Sequence, residues 1–407
     1  MKAGYMEEKK QTNHFWKGAL AGALAMFIAV VGTVAGVYYS GLNLLIGGST
    51  ATSKMQQKLN YFEQLIDSEY LYSDEMKEGM LEEGIYTGYI NALGDPYSVY
   101  YDEEKTKELY ESTSGEYSGI GVVFSQNMNT KISTAVQVYE NSPAAEAGLI
   151  EGDILYKVNG RDITGEDLSD VVAEIRGEEG TTVELTVMRG SETKEVTMEV
   201  VRRKIVVQTV SYEMKDESIG YIRVTEFDKV TYEQFKEAIT DLNNQEMKGL
   251  VIDLRSNPGG NLSTVVEMLD LLLPKGMIVY TEDKNGERDE YVSDANREYD
   301  GPLAVLVNGY SASASEIFAG AIQDYKVGTI VGTTSYGKGI VQQLFPLTDG
   351  TCVKLTVSEY FTPNGRNIHG VGIEPDVEVE YKADEENVEA DNQLDAAIAE
   401  VKKEIAK

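Results

Sequence analysis

Near its start the chain has a long segment without a single charged residue. The segment runs from 18 to 53, and its most apolar part, GALAGALAMFIAVVGTVAGVYY, covers residues 18–39. A helix of about 20 apolar residues crosses the hydrocarbon core of a bilayer, so we expect a transmembrane anchor over residues 18–46. Lysines precede the segment, and positively charged flanks stay on the cytoplasmic side. The sequence therefore predicts a cytoplasmic N-terminus over residues 1–17, a single membrane pass, and an extracytoplasmic location for the rest of the chain.

Two other interpretations of this segment are open. A cleaved signal peptide needs a small-x-small site, but the apolar run is longer than that of a usual signal peptide, and Thr33-Val34-Ala35 fits such a site poorly. A buried core helix is the third interpretation, and the terminal position with its basic flank favours it least. A retained anchor is therefore the working expectation.

The composition limits the chemistry of the rest of the chain. Its 36 Lys and Arg against 68 Asp and Glu give a net charge of −32, which argues against nucleic-acid binding because phosphate contacts need clustered cations. Cys352 is the single cysteine, so intramolecular disulfides and cysteine-based zinc sites are excluded. The two histidines, His14 and His369, lie on opposite sides of the apolar segment, which excludes a histidine-pair metal site. We expect no metal and no cofactor, and a chain of 407 residues predicts two or three domains.

The segment after the anchor has the spacing of an amphipathic helix. Phe62, Leu65 and Ile66 lie on one helical face, so residues 54–104 are expected to form a small helical region. The turn LGDPYS (93–98) interrupts it, because a proline fixes its own φ and disfavours helix just upstream. Taken alone, this turn indicates only a break in the helix.

Residues 105–203 change to short β-rich runs separated by glycine. The run SGIGV can leave backbone N–H groups pointing outward as a nest for a peptide's terminal carboxylate, although such a turn is more often a plain strand connection. The candidate binding residues in it are Gly119, Ile120, Gly121 and Val122. Strands are expected at 120–124, 135–138, 154–158, 183–187 and 196–201, with a helix over 168–176.

Residues 204–385 alternate between strand and helix patterns. Apolar runs predict strands at 220–224, 249–254 and 302–308, and helical spacing predicts helices at 231–243 and 262–273. In NPGGN, the adjacent Gly259 and Gly260 let the backbone approach a reacting group and donate N–H groups to a developing oxyanion. A bare PGG turn has a purely structural explanation in most proteins.

The run SASAS places three serines where a strand is expected to meet a helix. A serine at such a junction can expose a nucleophilic hydroxyl while the first amides of the helix donate to an oxyanion. Serine is also a favoured helix N-cap. Because Ser311, Ser313 and Ser315 cannot all be nucleophiles, the residues alone leave the choice among them open.

A serine nucleophile needs a base, and Lys338 in YGKGIVQ is a candidate. A lysine accepts a proton only when neutral, so its pKa must fall from about 10.4 towards 7 through burial and polar contacts. Gln342, four residues on, can hydrogen-bond the amine and orient it. Taken singly, Gly-Lys-Gly is more often a flexible loop with an exposed lysine.

Two sets of motifs resemble known families. The run SPAAEAGLIEGDILYKVNG (142–160) resembles that of bacterial PDZ domains. The second set resembles the carboxyl-terminal processing peptidases, serine proteases of the S41 type, and DPYS (95–98) fits their N-terminal region. Its motifs are Gly220 to Phe227, LVIDLRSNPGGNL (250–262), SASASEIFAGAIQDY (311–325), GTTSYGKGIVQ (332–342) and KLTVSEYFTPNGRNIHGVGIEPDVEV (354–379).

The resemblance implies an α+β multidomain chain with a crotonase-like ββα-spiral protease core. It assigns the boundaries 54–104 for the helical region, 105–203 for a PDZ domain, 204–385 for the S41 core and 386–407 for a C-terminal helix that packs or oligomerises. It implies a membrane-anchored serine endopeptidase without cofactors, whose PDZ domain binds protein or peptide substrates with apolar C-termini beside residues 120–124. Copies of the chain are also expected to be able to self-associate.

The resemblance also implies roles for individual residues. Ser313 is the implied nucleophile, Lys338 the general base and Gln342 the residue that orients it. The backbone amides of Gly259 and Ala314 are the implied oxyanion donors. Ser311 and Ser315 then have structural roles, Asp324 is expected to be a structural residue at a helix end, and Arg176 is only weakly indicated as a contact for a ligand carboxylate.

Three alternatives to this interpretation exist. His369 in a glycine-rich loop can in principle pair with a serine, but the family pattern gives this loop a role in shaping the core. A peptide-binding scaffold or regulatory pseudoprotease would lack the nucleophile, the base or the glycine turn, and the sequence has all three. Acyl-CoA chemistry on a crotonase-like core is disfavoured by the expected anchor and peptide-binding module.

Overall fold

The structure is a computed structural model of the chain. It describes residues 50–190, 194–215, 218–294, 296–383, 387 and 390–407. The expected anchor over 18–46 and the cytoplasmic segment 1–17 lie outside this range. Within the described ranges, no helix has both the length and the apolar character needed to cross a membrane. The chain divides into two compact units, Met1–Leu81 and Glu82–Lys407.

Helices dominate the part of the chain before residue 115. In chain order the elements are α1 (Thr50–Glu69), a 3-10 turn (Ser73–Glu75), α2 (Met80–Asn91), β1 (Val99–Tyr101) and α3 (Glu103–Ser114). Helix α3 begins at Asp102, whose side chain accepts a hydrogen bond of 2.8 Å from Lys105 N, and ends at Gly115 in the left-handed conformation. This helix crosses the boundary predicted at residues 104 and 105, and that boundary stays a prediction.

The next part of the chain is a small β-rich module with its own core. Its elements are β2 (Glu116–Gly119), β3 (Val122–Gln126), β4 (Ser133–Val138), α4 (Pro143–Glu146), β5 (Ile154–Val158), β6 (Arg161–Asp162), α5 (Leu168–Ile175), β7 (Thr182–Arg189), β8 (Lys194–Val201) and β9 (Arg203–Val206). The main sheet has the order β3-β4-β5-β7-β8, and β2 pairs with β9. Strand β3 therefore lies at a sheet edge. It begins at Val122 rather than at the expected residue 120, because Gly121 has a φ of +77° that interrupts the extended chain.

The remaining elements alternate strands with helices. They are β10 (Val210–Lys215), β11 (Ile219–Val224), α6 (Thr231–Asn244), β12 (Gly249–Asp253), α7 (Leu262–Asp270), β13 (Gly276–Asp283), β14 (Arg288–Ser293), β15 (Leu303–Val307), α8 (Ala314–Tyr325), β16 (Thr329–Gly332), β17 (Ile340–Pro346), β18 (Cys352–Phe361), β19 (Val377–Glu378) and α9 (Asn392–Ile405). Helix α7 ends earlier than the expected residue 273, because Pro274 disfavours helix in the residues just before it.

A largely parallel sheet forms the centre of this region. Its order is β10-β11-β12-β15-β16-β19, with β10 antiparallel and the others parallel. Every residue of β12 and β15 is buried, as expected for strands covered on both faces. Helices α6, α7 and α8 contribute to the large apolar core on one face. Because parallel strands end at one edge, the turns after β12 and β15 meet there.

Helix α9 contributes to the core on the second face of the sheet. Ala397 and Val401 are buried together with apolar residues of β11, β12, β15 and β16. Gly249 permits this packing, because a Cβ at that position would lie 2.2 Å from Val401 Cγ1. The C-terminal helix is therefore part of the core of its own chain, in agreement with the expectation that it packs.

A second sheet brings the turn at 93–98 to the region that follows residue 204. Its order is β1-β18-β13-β14, and β17 also pairs with β18. Val99 lies opposite Lys354 in the antiparallel β1–β18 ladder. The turn at 93–98, which directly precedes β1, is consequently placed beside the loop that precedes β17.

Candidate active site

Ser313 directly precedes helix α8, and its backbone is strained. Its φ of 55° and ψ of −112° lie outside the regions that non-glycine residues favour, and such a conformation costs about 1–3 kcal/mol unless its surroundings enforce it. The surroundings do so from two directions. Ser313 N donates to Glu316 Oε2 over 2.8 Å, and the hydroxyl of buried Tyr360 donates to Ser313 O over 3.0 Å.

The other two serines of the SASAS run have structural partners. Ser311 Oγ donates to Leu254 O over 2.7 Å, and Ser315 Oγ donates to Asn257 O over 2.9 Å. Both serines are fully buried. Ser313 is half-buried, and its hydroxyl donates to none of the described residues. Two serines of the run are thus tied to backbone carbonyls through their hydroxyls, and the assignment of Ser313 as nucleophile stays a prediction.

Glu316 joins the serine turn to the lysine loop. It is fully buried, and its two carboxylate oxygens accept four hydrogen bonds. Oε2 accepts from Ser313 N and Lys338 N, both over 2.8 Å, while Oε1 accepts from Ser335 Oγ and Gly337 N, both over 2.6 Å. Because two of the donors share one oxygen, the backbones of Ser313 and Lys338 lie within two hydrogen-bond lengths of each other.

The glycine turn after β12 packs directly against the serine turn. A Cβ on Gly259 would lie 2.7 Å from Ala312 O and 2.9 Å from both Ala314 N and Ser313 Cβ, so no larger residue fits. Buried Asn257 fixes this turn, since its side chain accepts from Gly259 N over 2.8 Å and donates to Val224 O over 2.9 Å.

The two backbone amides expected to bind an oxyanion differ in whether they already donate a hydrogen bond. The amide of Ala314, the first residue of α8, makes no hydrogen bond with the described residues, as is usual for the first turn of a helix. The Gly259 amide is directed at Asn257 Oδ1, whereas that of Gly260 has no partner among the described residues. The assignment of Gly259 as an oxyanion donor stays a prediction.

Lys338 lies half-buried in the loop before β17. Burial lowers the pKa of its side chain below the ordinary lysine value, and the positive charge of Lys354 lowers it further, while Glu316 and Asp95 oppose this shift. Its Nζ lies 4.7 Å from the centroid of the Tyr97 ring. No hydrogen bond joins Lys338 Nζ to Ser313 Oγ in the described structure.

The structure also shows the contacts of three other residues singled out from the sequence. Gln342 Nε2 donates to Thr356 Oγ1 over 3.3 Å, and its expected bond to Lys338 is not formed among the described residues. His369 is exposed, and its backbone lies against Gly339, where a Cβ would be 2.6 Å from His369 N. Asp324, near the end of α8, accepts from Asn364 N over 2.8 Å, which agrees with a structural role.

The residues expected to bind a peptide lie in the β-rich module. Gly119 ends β2 and Val122 begins β3, with Ile120 and Gly121 between them. The carbonyl groups of Ile120 and Gly121 accept from Ala144 N and Tyr139 N, which fixes the turn. Arg176, just after α5, has partners in helix α3 and strand β2. Its Nη1 lies 3.2 Å from Glu111 Oε2, and its guanidinium lies 5.0 Å from the centroid of the Tyr117 ring.

Several site residues were not found from the sequence. Glu316 had a local signal, because it is an acidic residue in the first turn of a helix whose neighbours are small or apolar. Asn257 and Tyr360 had none, since their roles depend on contacts between distant segments. Tyr97 lies in a turn whose sequence indicated only a break in the helix.

The arrangement is suited to acyl transfer by a hydroxyl nucleophile. A strained serine with an available Oγ, a free amide at a helix start and a lysine with a lowered pKa lie around one carboxylate. No cluster of three or more histidine, cysteine, aspartate or glutamate residues in the described ranges is arranged to hold a metal ion.

The chain matches two family models and many curated proteins. Peptidase family S41 matches residues 218–379, and a PDZ domain matches residues 134–189. The carboxy-terminal-processing protease of Bartonella bacilliformis is 36% identical over 370 residues, which cover 87% of this chain and 83% of that protein. The carboxy-terminal processing protease CtpB of Bacillus subtilis is 35% identical over 362 residues, which cover 85% of this chain and 74% of that protein. The chain belongs to the S41 family of carboxy-terminal processing proteases.

The chain is also similar to a solved structure. The photosystem II D1 C-terminal processing protease is 29% identical, and the match covers 81% of this chain and 89% of that chain with a TM-score of 0.47. The chain is a serine peptidase with a mixed α/β architecture that contains a PDZ domain and an S41 domain. The family expected from the motifs is thereby confirmed.

Replacing Glu316 with glutamine tests its function as the link between the two loops. Glu316→Gln keeps the shape but removes the charge and turns part of the carboxylate into a donor, so at least one of the four N–H and O–H donors is left unpaired. We expect kcat to fall about 100-fold, because small misplacements of reacting groups have effects of this size. The free energy of unfolding should fall by about 2 kcal/mol. Cleavage of an unstructured protein and urea unfolding measure the two effects.

Glu400→Gln is the matched control, because the ion pair that Glu400 makes within the described part of the chain is with Lys403 of the same helix, far from the serine turn in sequence. This substitution should change neither kcat nor the free energy of unfolding measurably. Wild-type kcat in Glu316→Gln would show that the carboxylate does not determine the geometry of the site.

Proposed function

We propose that the protease is a C-terminal processing endopeptidase that uses Ser313 as nucleophile and Lys338 as general base. The observation that supports this assignment best is the shared contact with Glu316 Oε2, which holds the backbones of the two residues side by side. Ser313 is also the serine of its run whose hydroxyl donates to none of the described residues, whereas those of Ser311 and Ser315 donate to backbone carbonyls.

The mechanism follows from what each group can do. Neutral Lys338 takes the proton of Ser313 Oγ as the oxygen attacks the peptide carbonyl, and the tetrahedral oxyanion accepts a hydrogen bond from Ala314 N, with a second donor from the glycine turn. The Lys338 ammonium then gives its proton to the leaving amine, and an acyl-enzyme remains. Lys338 next deprotonates a water molecule that attacks the ester, which releases the new C-terminus and restores Ser313.

The assigned base also fixes the direction of the pH dependence. Lys338 is active only when neutral, so the rate should rise with pH as its ammonium loses a proton. Burial and the charge of Lys354 lower the pKa of Lys338, so this rise should occur at a lower pH than for an ordinary lysine. Gln342 orients the amine in this proposal, which requires it to exchange its contact with Thr356 Oγ1 for one with Lys338.

Alanine substitutions separate the lysine mechanism from a histidine mechanism. Ser313→Ala and Lys338→Ala should each lower cleavage of an unstructured protein with an apolar C-terminus by at least about 1,000-fold, because each removes a group that takes part in bond making. His369→Ala should keep wild-type activity, since His369 is exposed. Circular dichroism checks that all variants are folded.

Two other results of this assay would change the assignment. Loss of activity in Ser313→Ala and His369→Ala, with activity retained in Lys338→Ala, would move the base to histidine. Tight binding of the substrate by a wild-type chain that never cleaves it would favour the peptide-binding scaffold.

Recognition of the substrate C-terminus is assigned to the edge of the PDZ sheet. Strand β3 pairs with β4 on one side only, so its other edge can accept a peptide as an added strand. The amides of Ile120 and Gly121 have no hydrogen-bond acceptor among the described residues, and they are available for a terminal carboxylate. Gln126 bridges β3 to the start of α5, since it donates to Glu166 O over 2.8 Å and accepts from Leu168 N over 3.3 Å.

Amidation of the substrate C-terminus tests this recognition without changing the enzyme. The amide removes the negative charge that the Ile120 and Gly121 amides would bind, so KM should rise about tenfold or more while kcat stays near its original value. Steady-state kinetics on otherwise identical free-acid and amidated peptides give the comparison. Equal KM values for the two peptides would exclude recognition of the carboxylate.

The uncharged segment over residues 18–46 is proposed as a single-pass anchor, with residues 1–17 in the cytoplasm and the catalytic region outside it. Self-association of the chain stays a prediction. After alkaline carbonate washing, the full chain should remain with the membranes and a variant lacking residues 18–46 should be released. Release of the full chain would exclude the anchor, and an N-terminus beginning after residue 18 would instead identify a cleaved signal.

A further inference from the structure

The side-chain nitrogen of Lys338 lies over an aromatic ring from a distant part of the chain. Lys338 Nζ lies 4.7 Å from the centroid of Tyr97, within the range in which a cation is attracted to the face of a ring. Nζ makes no hydrogen bond with any described residue. The ring is therefore the clearest partner that the ammonium has in this structure.

The turn that holds Tyr97 is fixed firmly to the protease region. Ser98 Oγ donates to Asp95 Oδ2 over 2.6 Å and accepts from Thr356 N of β18 over 3.1 Å. Tyr97 N donates to Asp95 Oδ1 over 3.0 Å. Strand β1 then pairs with β18 from Val99 onwards. Because these bonds restrain the backbone on both sides of Tyr97, the ring is held in place independently of Lys338.

The Tyr97 ring is neutral at any ordinary pH. A contact of 3.5 Å with the Tyr336 hydroxyl, together with burial, raises the pKa of Tyr97 to about 12. The ring consequently offers Lys338 an uncharged π face and an apolar cover. A phenolate would instead form an ion pair and hold the lysine permanently protonated.

We propose that Tyr97 is a positioning residue for the general base, with its ring holding the Lys338 ammonium between proton transfers and shielding it from water. This inference rests on the proposed assignment of Lys338. It gives the DPYS turn, which the sequence marked as a break and as a family-like motif, a direct function in catalysis. Tyr97 itself touches neither the substrate bond nor the nucleophile in this scheme.

Other charged and titratable groups also act on Lys338. Lys354 of β18 disfavours its protonated form, whereas Glu316 of α8 and Asp95 of the turn favour it. The Tyr336 hydroxyl lies beside that of Tyr97. A test of the ring must therefore change the π face alone and leave these four groups untouched.

Fluorinated phenylalanines at position 97 make that change in the full chain, purified in a mild detergent. Tyr97→Phe is the parent, and one, two and three ring fluorines weaken the negative ring face stepwise while the shape stays nearly constant. Each step should stabilise the ammonium less, so the acidic limb of the kcat/KM–pH profile should move to lower pH, by about half a unit over the series. The kcat on the alkaline plateau should stay within about threefold.

Two further substitutions, Tyr97→Leu and Lys354→Gln, give independent checks, and a third serves as the control. Tyr97→Leu removes the ring and should lower plateau kcat about tenfold with little change in KM, because substrate contacts are untouched. Tyr86→Leu is the matched control, since this ring lies in α2 and packs on Tyr100, 5.5 Å between centroids. It should leave both the profile and kcat at wild-type values. Lys354→Gln should move the same limb to higher pH, which identifies the limb as that of Lys338.

The outcomes distinguish the inference from the proposed function. If Lys338→Ala keeps activity, the assignment of the base fails. If Lys338→Ala is inactive but the limb is identical across the fluorinated series, only the assignment of Tyr97 is overturned. A Tyr97→Phe variant as damaged as Tyr97→Leu would also overturn it, because the hydroxyl and not the ring face would then be the important group.

Discussion

The arrangement of the site depends on the hydrogen bonds that the buried carboxylate of Glu316 accepts. A carboxylate removed from water is stable only if hydrogen-bond donors replace the water, and here three backbone amides and one hydroxyl do so. Those donors come from two separate segments, the serine turn and the lysine loop. The requirement to satisfy one charge therefore fixes the distance between the two segments, which a set of apolar contacts would specify less sharply.

The same requirement explains how the strained conformation of Ser313, the proposed nucleophile, persists. Ser313 has a positive φ, and the chain could relax it if the turn were free. The bonds to Glu316 and Tyr360 hold the residue from both its N–H and its C=O, and Gly259 closes the space into which it could move. Strain at this residue is thus balanced by contacts made with two other segments.

Sequence patterns predicted the elements well where a local period determines them. The buried strand β12 and the helices α5 and α6 lie within one or two residues of their expected positions. Prediction was less accurate where single residues end an element, as at Gly121 before β3 and Pro274 after α7. Within the site, motifs led to Ser313 and Lys338, but the contacts of Tyr97 and Asn257 could not be predicted, because they depend on how separate strands and turns meet in space.

The charges around Lys338 show that holding the site together and keeping the lysine neutral are opposing demands. Glu316 is needed to position Lys338, yet its negative charge favours the protonated lysine, as does that of Asp95. Burial opposes both, and Lys354 adds a positive charge on β18, the strand that also fixes the Tyr97 turn. Burial, the larger cause, and the charge of Lys354 together leave the pKa of Lys338 lowered, so an acidic structural link can coexist with the proposed lysine base. Strand β18 thus carries both the contacts that fix the Tyr97 turn and the charge that favours neutral Lys338.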